Sequence, residues 1–153
     1  MSTYKPMETD DYRGLARMFY ENGLEVKPDG PQPEGLIACW EVLDSRGERI
    51  AGIELETRAG EYVVGGITVL EPYRKSGIGE IMLRTVTDRV KEMGGQRAML
   101  VAKVPEFFEK SGFRRIARED SPEISKCFTC DQFETSCFPA VMEKPLNEGG
   151  TKV

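Results

Sequence analysis

Three groups of residues in this 153-residue chain are of types and spacings that could do chemistry. Arg74-Lys75-Ser76-Gly77-Ile78-Gly79 places two cations and a hydroxyl beside two glycines. Such a stretch, opening a helix, can hold an anion: the glycines let the backbone come close, the first helical N–H groups point outward, and the helix dipole adds positive potential. A surface turn whose glycines only shape a helix start is the alternative. Glu54 and Glu56, two apart on a strand, share one face while Ile53 and Leu55 take the other. A carboxylate pair there could attract an ammonium group and drain its proton; a solvated strand face is the blander reading. Tyr62 and Glu61 are weaker candidates for that work. Cys127, Cys130 and Cys137 form a C-x2-C-x6-C arrangement. Cys127 and Cys130 have the spacing of a zinc half-site, but no fourth ligand follows, and neither Asp131 nor Cys39 is indicated by spacing. Buried thiols packed as small hydrophobes, a structural metal site and a redox-responsive pair remain open.

The chain has no histidine. That removes Ser-His-Asp and Cys-His hydrolases, histidine bases and most zinc enzymes, and leaves acid–base work to Glu, Asp, Tyr, Cys, Lys or water. Acidic residues outnumber basic ones by 26 to 21, for a net charge of −5, and the basic residues are scattered. This disfavours a nucleic-acid partner, which usually requires a basic face. No apolar run approaches membrane-spanning length and Met1 to Glu8 does not read as a signal peptide, so a soluble cytoplasmic protein is expected, its cysteines reduced thiols or metal ligands rather than structural disulfides. The expected organisation is a single domain over 1–146 and a flexible C-terminal tail over 147–153.

The elements that must position these groups follow from pattern. Tyr4 to Met7 reads as a short strand, followed by a helix capped by Thr9 or Asp10, with Leu15, Met18 and Phe19 on its buried stripe and its end near Gly23. Residues 25–35, rich in Pro and Gly, read as a loop or a broken short helix that is expected to be mobile. Leu36 to Leu43 and Arg49 to Arg58 read as strands paired across the turn Asp44 to Glu48. Tyr62 to Leu70 is a buried strand running into the anion loop. Ile81, Met82, Val86, Val90 and Met93 then recur at helical spacing up to Gly94-Gly95. Arg97 to Val104 is apolar enough for a strand buried on both faces. Pro105 suits the first turn of a short helix and Gly112 its C′ position. Phe113 to Arg118 and Phe138 to Lys144 read as closing strands. The class is α+β.

Strand, Arg-x-x-Gly-x-Gly and helix together resemble motif A of the GNAT acetyltransferase superfamily, and Pro105-Glu106-Phe107-Phe108-Glu109-Lys110-Ser111-Gly112-Phe113 resembles its (F)(Y/F)EKxGF segment. The resemblance covers roughly residues 35–118. It implies a mixed, mostly antiparallel sheet splayed between its fourth and fifth strands and flanked by about four helices, with acetyl-CoA as co-substrate. Arg74, Lys75, Ser76, Gly77, Ile78, Gly79 and Glu80 would hold the pyrophosphate, the edge of Ile67, Thr68 and Val69 would pair with the pantetheine arm, and the Val69 N–H would polarise the thioester carbonyl. Phe108 stands where the family often has an acidic Tyr, and Val63-Val64-Gly65-Gly66 lacks the family's frequent strand Glu. Phe107, Phe108 and Phe113 suit core packing, with contact between Phe108 and the acetyl or thiol region a secondary role. Tyr73 suits packing beneath the loop. The Cys-bearing tail resembles that of a bacterial subgroup including short N-acetylglutamate synthase-like enzymes.

The resemblance therefore implies direct transfer of an acetyl group to a primary amine, of a small molecule such as an amino acid or polyamine, with Glu54 or Glu56 as a water-mediated base and no metal in the chemistry. Residues 25–35 would close over the acceptor, and a homodimer is compatible with the family. A non-catalytic acyl-CoA sensor and a Cys-cluster metal or redox module on the same fold are the rivals.

Overall fold

The computed structural model describes residues 4–22, 32–102, 104–117, 119 and 140–146. Among the described residues seven strands form a mixed sheet in the order β1-β2-β3-β4-β5-β7-β6, with β1–β2, β2–β3, β5–β7 and β6–β7 antiparallel and β4–β5 parallel. Three α-helices and one 3-10 turn accompany them among the described residues. The strands are β1 (Met7–Thr9), β2 (Leu36–Leu43), β3 (Arg49–Arg58), β4 (Glu61–Val69), β5 (Arg97–Ala102), β6 (Arg114–Arg115) and β7 (Ala140–Pro145). The helices are α1 (Tyr12–Glu21), α2 (Ile78–Glu92) and α3 (Pro105–Glu109), with the 3-10 turn at Glu71–Tyr73. Residues 147–153, the cysteines at 127, 130 and 137, and most of the Pro-rich segment lie outside the described residues. None of the described helices is long and apolar enough to cross a membrane.

By its contacts the chain falls into two compact units. The first comprises residues 1–56 and 64–86. Within it α1 begins one residue later than the Thr9 and Asp10 signals suggest: Asp11 is the cap, its carboxylate accepting from the Gly14 N–H at 3.0 Å. Thr9 instead accepts from the Asp11 N–H. The buried stripe of α1 includes Tyr12, Leu15, Ala16 and Phe19, which cluster with Cys39 of β2 and with half-buried Leu36. The ladder of β2 with β3 sets Cys39 opposite Glu54 and Trp40 opposite Ile53. Both strands match their sequence expectation to the residue.

The second unit comprises residues 57–63 and 87–153. Ala59 and Gly60, at φ 51° and 78°, make the tight turn into β4 with the positive dihedrals a two-residue hairpin demands. Tyr62 pairs with Ala98 and Val63 with Met99 in parallel, two of the nine β4 residues. β7 lies between β5 and β6, and Val63, Met99 and Val141 form a core joined by Val101 and Ile116. The expected strand from Phe113 to Arg118 is confined to Arg114–Arg115. α3 closes as expected: the Phe113 N–H reaches Phe108 O and the Gly112 N–H reaches Glu109 O, with Gly112 at φ 95°, which places Gly112 at C′. The stripe of α2 is shifted from expectation. Ile78, Met82, Leu83, Val86 and Val90 are buried, while Met93 lies beyond the helix and is 42% exposed.

Candidate functional site

Within the first unit, β4 runs through Val64–Val69 into the 3-10 turn, then the loop, then α2. The loop departs from strand geometry at Lys75 and Gly77, which take φ 67° and 87°. Left-handed residues alternating with ordinary ones turn successive N–H groups toward one side, making a concavity suited to an anion. Gly77 has no neighbour within 4 Å of where a Cβ would stand, and its carbonyl accepts from the Ile81 N–H at 3.1 Å, so α2 begins there. The first amides of α2 have no intrahelical acceptor, and its dipole adds positive potential. Arg74, Lys75 and Ser76 are exposed; Ile78 and Gly79 are buried. The Ser76 hydroxyl bonds the Tyr73 carbonyl, fixing the loop to the turn. Tyr73 meets Tyr4 edge to face at 6.0 Å between centroids. These features suit an anion: a backbone concavity with two cations at its rim, at the end of a strand.

Arg74 is not simply turned outward. Its Nε donates to the Val69 carbonyl at 2.8 Å, folding the side chain back onto the end of β4. The Leu70 N–H, on the other side of the same peptide, donates to Ile50 O at 2.9 Å. A trans peptide points its C=O and N–H in opposite directions. Val69 therefore presents its carbonyl to the edge away from β3, and its own N–H shares that edge because both polar groups of a strand residue face one side.

The glutamate pair overturns the reading of a solvated strand face. Glu54 and Glu56 are each only 2% exposed. α1 lies over that face: Leu15 is so close to Gly52 that a Cβ there would stand 2.2 Å from its Cδ2, and Cys39 opposite Glu54 belongs to the α1 cluster. A Cβ on Gly65 would stand 2.5 Å from Glu54 Oε1 and 2.5 Å from Glu56 Oε2. Both carboxylates therefore converge on the place where β4 has no side chain. The strand that lacks a carboxylate in sequence has two beside it in space, supplied by β3. The neighbouring Gly66 is filled by the Phe19 ring, whose Cε2 would lie 2.9 Å from a Cβ. The electrostatics of this buried face register on Cys39: burial first, then the negative charges of Glu54, Asp10, Glu56 and Glu8, push its thiol up to about 12. Buried acids are costly to keep, which makes this pair a candidate functional site.

The remaining expectations fall in the second unit. Phe108 packs edge to face against Phe107 at 5.0 Å and Phe113 at 6.3 Å; Phe113 is buried, whereas Phe107 and Phe108 are half-buried. Glu61 and Tyr62 also lie there. Glu61 takes two hydrogen bonds from Arg97, at 3.0 and 2.8 Å, and so belongs to an ion-pair network rather than to the carboxylate pair. A cavity of about 490 Å³ in this unit is lined by Arg97, Arg114, Arg115, Ile116, Ala117 and Glu143. Its arginines are engaged by Glu61, Glu143, Glu106 and Glu109. Among the described residues no cluster of three or more potential ligands suits a metal ion.

Sequence reasoning missed the convergence on Gly65 and the return of Arg74 to Val69. The glycine pair Gly65-Gly66 inside a strand was the available signal, since strand glycines mark close approach.

Residues 6–113 match the family described as Acetyltransferase (GNAT) family. An amino-acid acetyltransferase of Mannheimia succiniciproducens is 26% identical over 144 residues, covering 90% of this chain and 32% of its own length. This chain thus spans about a third of that relative. An acetyltransferase of GNAT family from Staphylococcus aureus Mu50 superposes with a TM-score of 0.69 at 18% identity, covering 94% of this chain and 99% of the other. An N-acetylglutamate synthase from Neisseria gonorrhoeae, complexed with coenzyme A and N-acetyl-glutamate, gives 0.68 at 16% identity over 95% of this chain and 36% of its own.

Proposed function

The chain belongs to the acetyltransferase (GNAT) family, and from that premise we propose that it is an acetyl-CoA-dependent N-acetyltransferase acting directly on the primary amine of a small molecule. The observation that carries the reading is the convergence of Glu54 and Glu56 on Gly65, on the same strand as Val69 and the anion loop. Acetyl-CoA supplies the acyl group as a thioester, whose C–S bond breaks as the N–C bond forms. The amides of the loop and of the α2 start, with the rim cations Arg74 and Lys75, hold its phosphates. The backbone of Ile67, Thr68 and Val69 aligns the extended arm as an added strand would. The Val69 N–H donates to the thioester oxygen as negative charge develops there, a donor of a kind that contributes roughly 3 kcal/mol.

The incoming ammonium must lose a proton before its nitrogen can attack. The carboxylates of Glu54 and Glu56 take that proton through water. Phe108 donates none, so the thiolate leaves without a side-chain acid at that position. A negatively charged wall attracts a cationic amine, and likeness to an amino-acid acetyltransferase supports an amino acid as acceptor. The non-catalytic sensor is favoured by Phe108 alone.

Thermal stability with and without acetyl-CoA, on wild type and on Gly77→Glu, tests the co-substrate site. A ligand that binds only the native state must raise the melting temperature. The substitution sets bulk and negative charge where the pyrophosphate is proposed to lie. A wild-type shift that disappears in the variant is expected, followed by CoA release with an amine panel. No wild-type shift at saturating acetyl-CoA would sink the reading. A shift with no CoA release on any amine would favour the sensor.

A further inference from the structure

The loop that holds an anion and the strand that presents the oxyanion donor are joined by one side chain. The 3-10 turn Glu71–Tyr73, with Pro72 fixing its backbone, bonds Tyr73 N–H to Leu70 O at 2.9 Å and Arg74 N–H to Glu71 O at 3.1 Å. This tight return brings Arg74 beside the residue five positions earlier, where its Nε holds Val69 O at 2.8 Å. With Leu70 N–H held by Ile50 O at 2.9 Å, the Val69–Leu70 peptide is fixed at both polar ends. Its plane sets the ψ of Val69, and with it the aim of the strand end on which the Val69 N–H sits. Nε faces the protein, while Nη1 and Nη2 are the donors left for an anion.

We propose that Arg74 is a positioning residue for acyl transfer: its Nε braces the Val69–Leu70 peptide so that the Val69 N–H meets the developing charge. The inference rests on the N-acetyltransferase reading above. It separates two duties of one guanidinium, bracing by Nε and attraction of the co-substrate by charge, and two substitutions divide them. Arg74→Gln carries an amide nitrogen the same number of bonds from Cα as Nε, so it keeps the brace and drops the charge. Arg74→Lys keeps the charge one bond further out and places a methylene where Nε was, so it loses the brace.

Misaimed donors cost rate without costing ground-state binding. Arg74→Lys is expected to lower kcat about tenfold with KM for acetyl-CoA within about threefold of wild type. Arg74→Gln is expected to raise that KM about tenfold with kcat within about threefold. Amide hydrogen exchange at Leu70, measured without ligand, should quicken about tenfold in Arg74→Lys and stay unchanged in Arg74→Gln. Arg74 is exposed, so both variants are expected to fold, and melting curves on each check this. Wild-type kcat and exchange in Arg74→Lys, or equal losses of kcat in both variants, would overturn the proposal. If wild type acetylates no amine, the N-acetyltransferase reading fails by itself. Leu70 exchange then decides the brace: faster in Arg74→Lys alone supports it, and unchanged in both overturns it.

Discussion

Glu143 in the second unit and the Glu54–Glu56 pair in the first are all buried, yet their surroundings differ in kind. Glu143 bonds two arginines, Arg97 at 2.8 Å and Arg114 at 2.9 Å, while Arg97 also grips Glu61. Burial pushes the Glu143 carboxyl up, but the hydrogen bonds from Arg97 and Arg114 outweigh it and hold the group below its ordinary 4.5. Glu54 and Glu56 sit under the apolar face of α1, opposite a thiol, with their carboxylates turned to the bare backbone of Gly65. The first arrangement joins strands β5, β6 and β7 and the start of β4; the second holds acids beside the strand that leads to the glycine-bearing loop proposed to take the co-substrate. Burial alone does not separate a paired structural acid from a candidate base; what the carboxylate faces is the difference to test.

The comparison breaks most sharply on the Gln variants. Glu54→Gln and Glu56→Gln are expected to lower kcat by about 10² or more in the variant that removes the proton acceptor, within the range for general bases. KM for acetyl-CoA should hold. Steady-state kinetics on both variants, with the acceptor found in the amine screen, checks this; full kcat in both would place the base elsewhere.

The opposite pattern is expected for Arg97→Met. Stability should fall by about 2 kcal/mol, less than the roughly 3–5 kcal/mol for a fully buried pair, because the Arg97 side chain is 31% exposed. Turnover should be unchanged. The pH dependence carries the sign: a carboxyl with a lowered folded value contributes stability above its ordinary 4.5 that is lost as pH falls through the folded value. Urea unfolding from neutral to acid pH should therefore show a steeper loss in wild type than in Arg97→Met. Equal slopes would remove Glu143 from the account.

These two settings were not equally legible in the sequence. β2 and β3 are legible to the residue because their apolar runs end at Asp44, Gly47 and Gly60, and the loop between β4 and α2 because glycines and cations stand between strand and helix. The burial of Glu54 and Glu56 was hidden, since strand alternation gives two faces and only the path of α1 decides which is covered. Gly65 looked like an absent base because sequence lists side chains by strand, whereas the space above a glycine belongs to whichever neighbour reaches it. Arg74 was read by its charge; the contact of Nε with Val69 depends on the turn at Glu71–Tyr73, which local pattern did not disclose. The acetyltransferase family came from motif order, and residues 6–113 bear it out.

Gly65→Ala sharpens the comparison from the other side. Its methyl would meet both carboxylates at 2.5 Å, so one must move. The expected cost is about 1–2 kcal/mol of stability from overpacking, with kcat down about tenfold as the pair is displaced. Chemical denaturation and kinetics on one preparation separate the two effects. Unchanged kcat with lowered stability would mean that the carboxylates fill the space without acting from it.

The smallest effect concerns an acid of a third kind. Asp11 has a 54% exposed side chain, yet it caps α1 through Gly14 N–H and pairs with Arg49 at 2.8 Å. The hydrogen bond from Arg49 and then that from Gly14 hold its carboxyl below 3.8. Asp11→Ala removes both roles and should cost about 1 kcal/mol, the usual value of an N-cap. Asp11→Asn keeps the cap oxygen and drops the charge, so it should cost only a few tenths, because exposed ion pairs contribute little. Because α1 is what buries Glu54, the pair of variants also measures how far the site depends on that helix. If Asp11→Asn costs as much as Asp11→Ala, the ion pair with Arg49, and not the cap, holds α1 over the carboxylates.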